Sequence, residues 1–335
     1  MKPEGLPSDW DCGDLELLSE LARAGRFREA LRAFDDRSKR GSSTPPPEAE
    51  YLAALAAARL GAFERASRLA ESALSRLSAL ADESGAMRAA NLLGGVAFEQ
   101  GRLDDAEARF EETLRRAHLL NDAQMAARAS NNLGSLVHLQ GKDALAVNLY
   151  CSALHVYRMQ GDRLGTAQTC HNLALAYRLE GRFAEALDAN HQAVEAAEQA
   201  GDQALLALTR MGRAETWLEW SEPTKAETEL RGALELAATS GDEAGVGEAE
   251  RLLALVAMQR QRYDLAMRHA HRGRKIAGRL RCTELRGQCD AISALAARAI
   301  RQPRLADRFR LRAVQAFRSL GASGLLRRFE LDWAS

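Results

Sequence analysis

The chain has 335 residues, and its 46 Lys+Arg are balanced by 46 Asp+Glu, giving a formal net charge of zero. Taken as a whole, that balance excludes an electrostatically driven nucleic-acid or membrane binder. A composition of 46% hydrophobic and 27% charged residues excludes a disordered chain, and the low aromatic content (5%) beside abundant Ala, Leu, Arg and Glu predicts an all-α fold.

In chain order, residues 1–13 read as a polar N-terminal arm with no apolar signal-peptide core. Residues 14–38 form a first, short helical hairpin. RGSSTPPPE at 40–48 is expected to be an extended surface loop and the first place a protease would cut. Further hairpins follow at about 49–82, 83–122, 123–162, 163–202, 203–242, 243–282 and 283–322, and 323–335 is expected to form a C-terminal cap or tail.

The hairpins rest on a fixed period. Gly-Asp recurs at 161/162, 201/202 and 241/242, with Asn121-Asp122 one step before, so the spacing is 40 residues. Gly25, Gly61, Gly101, Gly141 and Gly181 fall between pairs of apolar-periodic stretches, where a helix end requires a turn. Five residues after each of these, or after Ser221, Gln261 and Arg301, stands an alanine: Ala30, Ala66, Ala106, Ala146, Ala186, Ala226, Ala266 and Ala306. A residue this small suits a place where two helices approach closely. Within 123–162, Leu133, Leu136 and Val137 form one stripe and Leu145, Leu149, Ala153 and Val156 another, at helical spacing on either side of Gly141. Neither helix could bury its stripe alone, so the repeats must stack.

Leu93-Gly94, Asn132-Leu133-Gly134 and Asn172-Leu173-Ala174 in the first helices, the Gly101/Gly141/Gly181 turn, the alanine phase, and Phe110/Tyr150 in the second helices carry a resemblance to the tetratricopeptide repeat. The 40-residue variant resembles that of kinesin light chains, Leu-Gly-Asn adaptors and bacterial peptide-sensing regulators. The resemblance implies a right-handed superhelical solenoid of about eight repeats at 14–322, whose first helices line a concave peptide-binding groove. By repeat phase the first-helix polar residues Arg88, Asn91, Arg128, Asn131, Asn132, His138, Gln168, His171, Asn172 and Arg178 should face that groove or its rim. Among these, Asn132 and Asn172 match the family's peptide-contacting asparagine, and Arg88 and Arg128 match an arginine of the Leu-Gly-Asn adaptors. An asparagine can both donate to and accept from an extended backbone, and an arginine can fork onto a carboxylate. The competing reading is solvated helix surface, or asparagines bonded to neighbouring helices.

The chain carries no phosphate-binding G-x-x-x-x-G-K-[ST], H-E-x-x-H or G-x-S-x-G motif, and Gly245-Val246-Gly247 lacks a preceding strand, so no catalytic activity and no cofactor are expected. His269 and His271 are two apart on a helix and diverge, so no metal site is expected there. Cys170 beside His171 reads as a buried thiol. Five cysteines without a C-x-x-C pair suggest a reducing, cytoplasmic setting, and no apolar run is long enough to span a membrane. Trp217 is expected in the core, and Trp220 and Trp333 nearer the surface.

The zero net charge conceals an asymmetry. Residues 251–335 hold 19 Lys+Arg and 6 Asp+Glu, a local charge of +13, and the preceding 250 residues carry −13. A basic patch of Arg268, Arg272, Arg274, Lys275 and Arg279 could meet an acidic protein or another copy of the chain. Nucleic acid fits less well, because interleaved aromatics for base stacking are scarce. The leading expectation is a non-catalytic scaffold binding an extended segment of another protein. A regulatory peptide sensor is the alternative, although residues 1–45 are too short and turn-rich to hold a helix-turn-helix.

Overall fold

The computed structural model describes residues 10–40 and 44–334. Every regular element among them is an α-helix, as the composition predicts: α1 (Cys12–Arg23), α2 (Phe27–Arg40), α3 (Pro47–Arg59), α4 (Phe63–Ala79), α5 (Glu83–Glu99), α6 (Leu103–Leu119), α7 (Ala123–Leu139), α8 (Asp143–Gln160), α9 (Arg163–Leu179), α10 (Phe183–Ala200), α11 (Gln203–Glu219), α12 (Pro223–Ser240), α13 (Glu243–Gln259), α14 (Tyr263–Arg279), α15 (Thr283–Ala299), α16 (Pro303–Ser319) and α17 (Ser323–Ala334). The chain divides into two compact units, Met1–Tyr157 and Arg158–Ser335. Within each, consecutive helices pack as antiparallel hairpins, and each hairpin packs on the next.

Residues 1–9 of the expected arm lie outside the described residues. Its end is not loose: Trp10 is buried with its ring 5.6 Å from Phe34, and Asp11 and Asp14 form a capping box that starts α1 at Cys12. In the 40–48 stretch, where the cleavage site is expected, residues 41–43 also lie outside the described residues. Pro47 belongs to the first turn of α3, and Arg76 holds the Pro45 carbonyl at 2.6 Å.

The sequence markers have a local physical origin. At each hairpin turn the chain passes through the left-handed region, and the following N–H bonds back five residues, as in Arg102 N to Ala97 O and Lys142 N to Val137 O, both 2.9 Å. This is the Schellman closure that favours glycine. Ser221, Gln261 and Arg301, which replace that glycine, still adopt φ of 60°, 57° and 58° and keep the same bond. At the turns between hairpins, the aspartate after the left-handed residue caps the next first helix: Asp82, Asp122, Asp162, Asp202 and Asp242 each accept a backbone N–H three residues on, at 2.8–3.0 Å. Cys282 occupies the equivalent position in the last repeat and makes no such bond.

Packing explains the remaining markers. A Cβ on Gly94 would lie 2.6 Å from the Phe110 ring, and one on Gly134 would lie 2.7 Å from Tyr150, so each glycine makes room for an aromatic ring on its hairpin partner. The alanines at the recurring phase are all buried. Ala66 clusters with Ala57 of its own hairpin and Val96 of the next, and Ala266 does the same with Ala257 and Ala296. Both alanines thus sit where three helices meet. In the second unit, a Cβ on Gly273 would lie 3.1 Å from the Gly247 carbonyl and 3.0 Å from Cys289 Sγ, so the glycine relieves a tight crossing. Trp217 is half-buried against the core containing Met211 and Leu230, and it stacks on the exposed Trp220, which in turn stacks on Phe183. α17 packs on the last hairpin through buried Phe329 against Phe317, and Trp333 lies against the guanidinium groups of Arg298 and Arg310.

Candidate functional site

In the first unit the candidate residues lie on the neighbouring first helices α5 and α7. Asn132 Nδ2 donates to Asn91 Oδ1 at 3.2 Å, so the asparagines of adjacent repeats bond to one another, as the competing reading expects, with part of each amide left over. Both are half-buried, and the bond uses one amide proton of Asn132 and one lone pair of Asn91. Asn131, also half-buried, accepts from Ser135 Oγ through its backbone carbonyl at 3.3 Å. Arg88 lies over the Tyr51 ring of α3, 5.3 Å from its centroid. Half-buried Arg88 and Arg128 form no ion pair with any described residue. His138 is drawn away from the face: its Nδ1 lies 2.5 Å from Asp143 Oδ1 in the first turn of α8, which ties the hairpin together.

In the second unit the equivalent positions are arranged differently. Gln168 is exposed and Asn172 half-buried on α9. His171 packs on Gly212 of α11, where a Cβ would fall 2.7 Å from its ring. Burial, together with the charge of nearby Arg178, lowers the imidazole pKa to about 4, so His171 is neutral at physiological pH. Arg178 is not free to fork a partner carboxylate, because it is only 11% exposed and bonds Glu215 at 2.9 Å and Glu219 at 2.8 Å on α11. Arg251 of α13 continues the chain of charges through Glu215 at 3.4 Å and through Glu248. Sequence reasoning missed Glu215, Glu219, Glu248 and Arg251. The available signal was opposite charges on successive first helices, spaced by one repeat give or take a helical turn.

The basic patch on α14 is also partly consumed. Arg274 does not join it: the side chain turns inward, with Nε 2.8 Å from buried Asp290. Burial raises the Asp290 carboxyl above its ordinary range, against the opposing pull of Arg274. Arg272 and Arg279 reach Glu250 at 3.5 Å and Glu243 at 3.2 Å on α13. Arg268 and Lys275 remain exposed and pair with no described acid. His269 lies 2.5 Å from Glu250 while His271 is exposed, so the two histidines diverge. Cys170 is buried, as its position suggests, and burial pushes the Cys289 thiol up to about 12. Among the described residues no three His, Cys, Asp or Glu side chains converge on a point that could hold a metal ion, and no helix is long and apolar enough to cross a membrane.

Residues 85–159 and 125–199 match the family model described as tetratricopeptide repeat, which covers the hairpins that carry the candidate face. Tetratricopeptide repeats are therefore present there, and the flanking hairpins keep their phase. No curated protein matches the chain. Solved structures confirm the fold at low identity. A Rap protein complexed with competence and sporulation factor aligns with TM-score 0.66 and 13% identity, over 95% of this chain and 94% of that one. NprR in complex with its cognate peptide NprX aligns with TM-score 0.58 and 12% identity, over 96% and 95%. Aspartyl phosphate phosphatase F of Bacillus subtilis aligns with TM-score 0.59 and 12% identity, over 98% and 95%.

Proposed function

We propose that the chain is a non-catalytic, cytoplasmic interaction scaffold that binds an extended segment of another protein on its first-helix faces. The observation that carries this reading is the Asn132–Asn91 bond on a half-buried surface. It fixes both side chains in position while leaving Asn132 Oδ1 and the Asn91 amide to meet a peptide backbone. Arg88 and Arg128, half-buried without a carboxylate, supply forked donors for an acidic side chain on the same segment. Arg178 takes no part, since two glutamates already neutralise it. The domain reading that accompanies this function is a repeat array at 14–322 with 323–335 as its cap.

A regulatory peptide sensor is the second reading, favoured by near full-length alignment to NprR in complex with its peptide and to the Rap complex. Selecting peptides from a random display library on the full chain, then following hydrogen exchange, tests the shared core of both readings. Protection gained on α5 and α7 supports the assignment, and protection confined to second helices refutes it.

A further inference from the structure

The outward faces of the second helices in the C-terminal unit reverse their charge along the array. On α10 the exposed residues Asp188, Glu195 and Glu198 are acidic. Whole repeats later, the equivalent exposed positions are Arg268 and Lys275 on α14, and Arg308 and Arg318 on α16. These helices share the buried alanine phase and the left-handed turns, so the hairpin scaffold is indifferent to the sign of the outer face. Folding does not require the positive charges, and like charges held together oppose it.

α14 and α16 both pack against α15, so their outer stripes flank one helix. Arg268, Lys275, Arg304, Arg308 and Arg318 ion-pair with none of the described residues. Leu311 stands 71% exposed on the α16 stripe, one turn from Arg308. A phosphate polymer gains nothing from a leucine, and the exposed positions of the two stripes include no aromatic ring on which a base could stack. An acidic protein segment carrying apolar side chains satisfies both features.

We propose that the outer face of α14 and α16 is a second docking surface, distinct from the first-helix face, for an acidic protein segment. Its carboxylates pair with the arginines and Lys275, and an apolar side chain covers Leu311. The test uses the full chain and three probes of equal charge: a glutamate-rich peptide with leucine at helical spacing, an all-glutamate peptide, and a DNA duplex. At low salt the leucine-bearing peptide binds most tightly. The combined variant R268E/K275E/R304E/R308E weakens that binding about tenfold or more, at unchanged helicity. Leu311→Ser lowers the affinity to that of the all-glutamate peptide. Asn132→Ala with Asn172→Ala leaves it unchanged, which separates this surface from the first-helix reading. Should the combined variant misfold, R268A/R308A replaces it, with a smaller loss in the same direction. No peptide binding at low salt, unchanged affinity in well-folded variants, or tighter binding of the duplex would overturn the proposal.

Discussion

The Asn132 amide donates to the Asn91 carbonyl across 3.2 Å, from one first helix to its neighbour 41 residues earlier. The second unit reuses that spacing with different chemistry. There His171 packs on Gly212, also 41 positions on, and glycine stands at the phase that Asn132 and Asn172 occupy in their own repeats. One inter-repeat contact thus serves either as a hydrogen bond or as an imidazole seated on bare backbone, which makes the two first-helix faces chemically unequal.

The imidazole carries a pH signature. Burial and the nearby Arg178 charge lower the His171 pKa to about 4 from its ordinary 6.5, so below pH 6.5 the unfolded chain binds the proton more readily than the native one. Stability is therefore unaffected by His171 above that pH, falls as pH drops towards 4, and by then has lost up to about 3 kcal/mol. Chemical denaturation of wild type and His171→Gln across this range checks it: the variant shows a shallower decline. Parallel curves contradict the burial of a neutral ring.

The last repeat lacks a cap that its five predecessors have. Cys282 occupies the position at which Asp242 accepts the Gly245 N–H at 3.0 Å. Cys282→Asp is expected to stabilise the C-terminal hairpin by about 1 kcal/mol, read as slower hydrogen exchange in α15. Asp242→Ala should cost a similar amount.

Gly134 exists for the Tyr150 ring. A methyl there meets Cε1 at 2.7 Å, so Gly134→Ala should destabilise the first unit by about 1–3 kcal/mol through overpacking. If the ring is the obstacle, pairing Gly134→Ala with Tyr150→Leu costs less than the sum of the two single changes. Strict additivity in urea titrations would show that the glycine has another purpose.

The fold was legible because each repeat states its own boundaries. Glycine supplies the left-handed turn, aspartate the cap, and alanine the three-helix junction, all at one 40-residue period. Arg301 at φ 58° shows the limit of that code, since the turn survives loss of its glycine when the hairpins on either side dictate the chain path. The site was less legible. Phase places Arg178 and Arg128 on comparable helices, but only the packed structure reveals that Glu215 and Glu219 neutralise the first while the second meets no carboxylate. Arg274 illustrates the same point, because a helical wheel cannot tell that buried Asp290 draws it inward.

The most direct test of the proposed function is the affinity of a selected extended peptide for the full chain and for Asn132→Ala combined with Asn172→Ala, measured by titration calorimetry alongside circular dichroism. A loss of about tenfold or more is expected, with helicity intact. Equal affinity in the two proteins would contradict it.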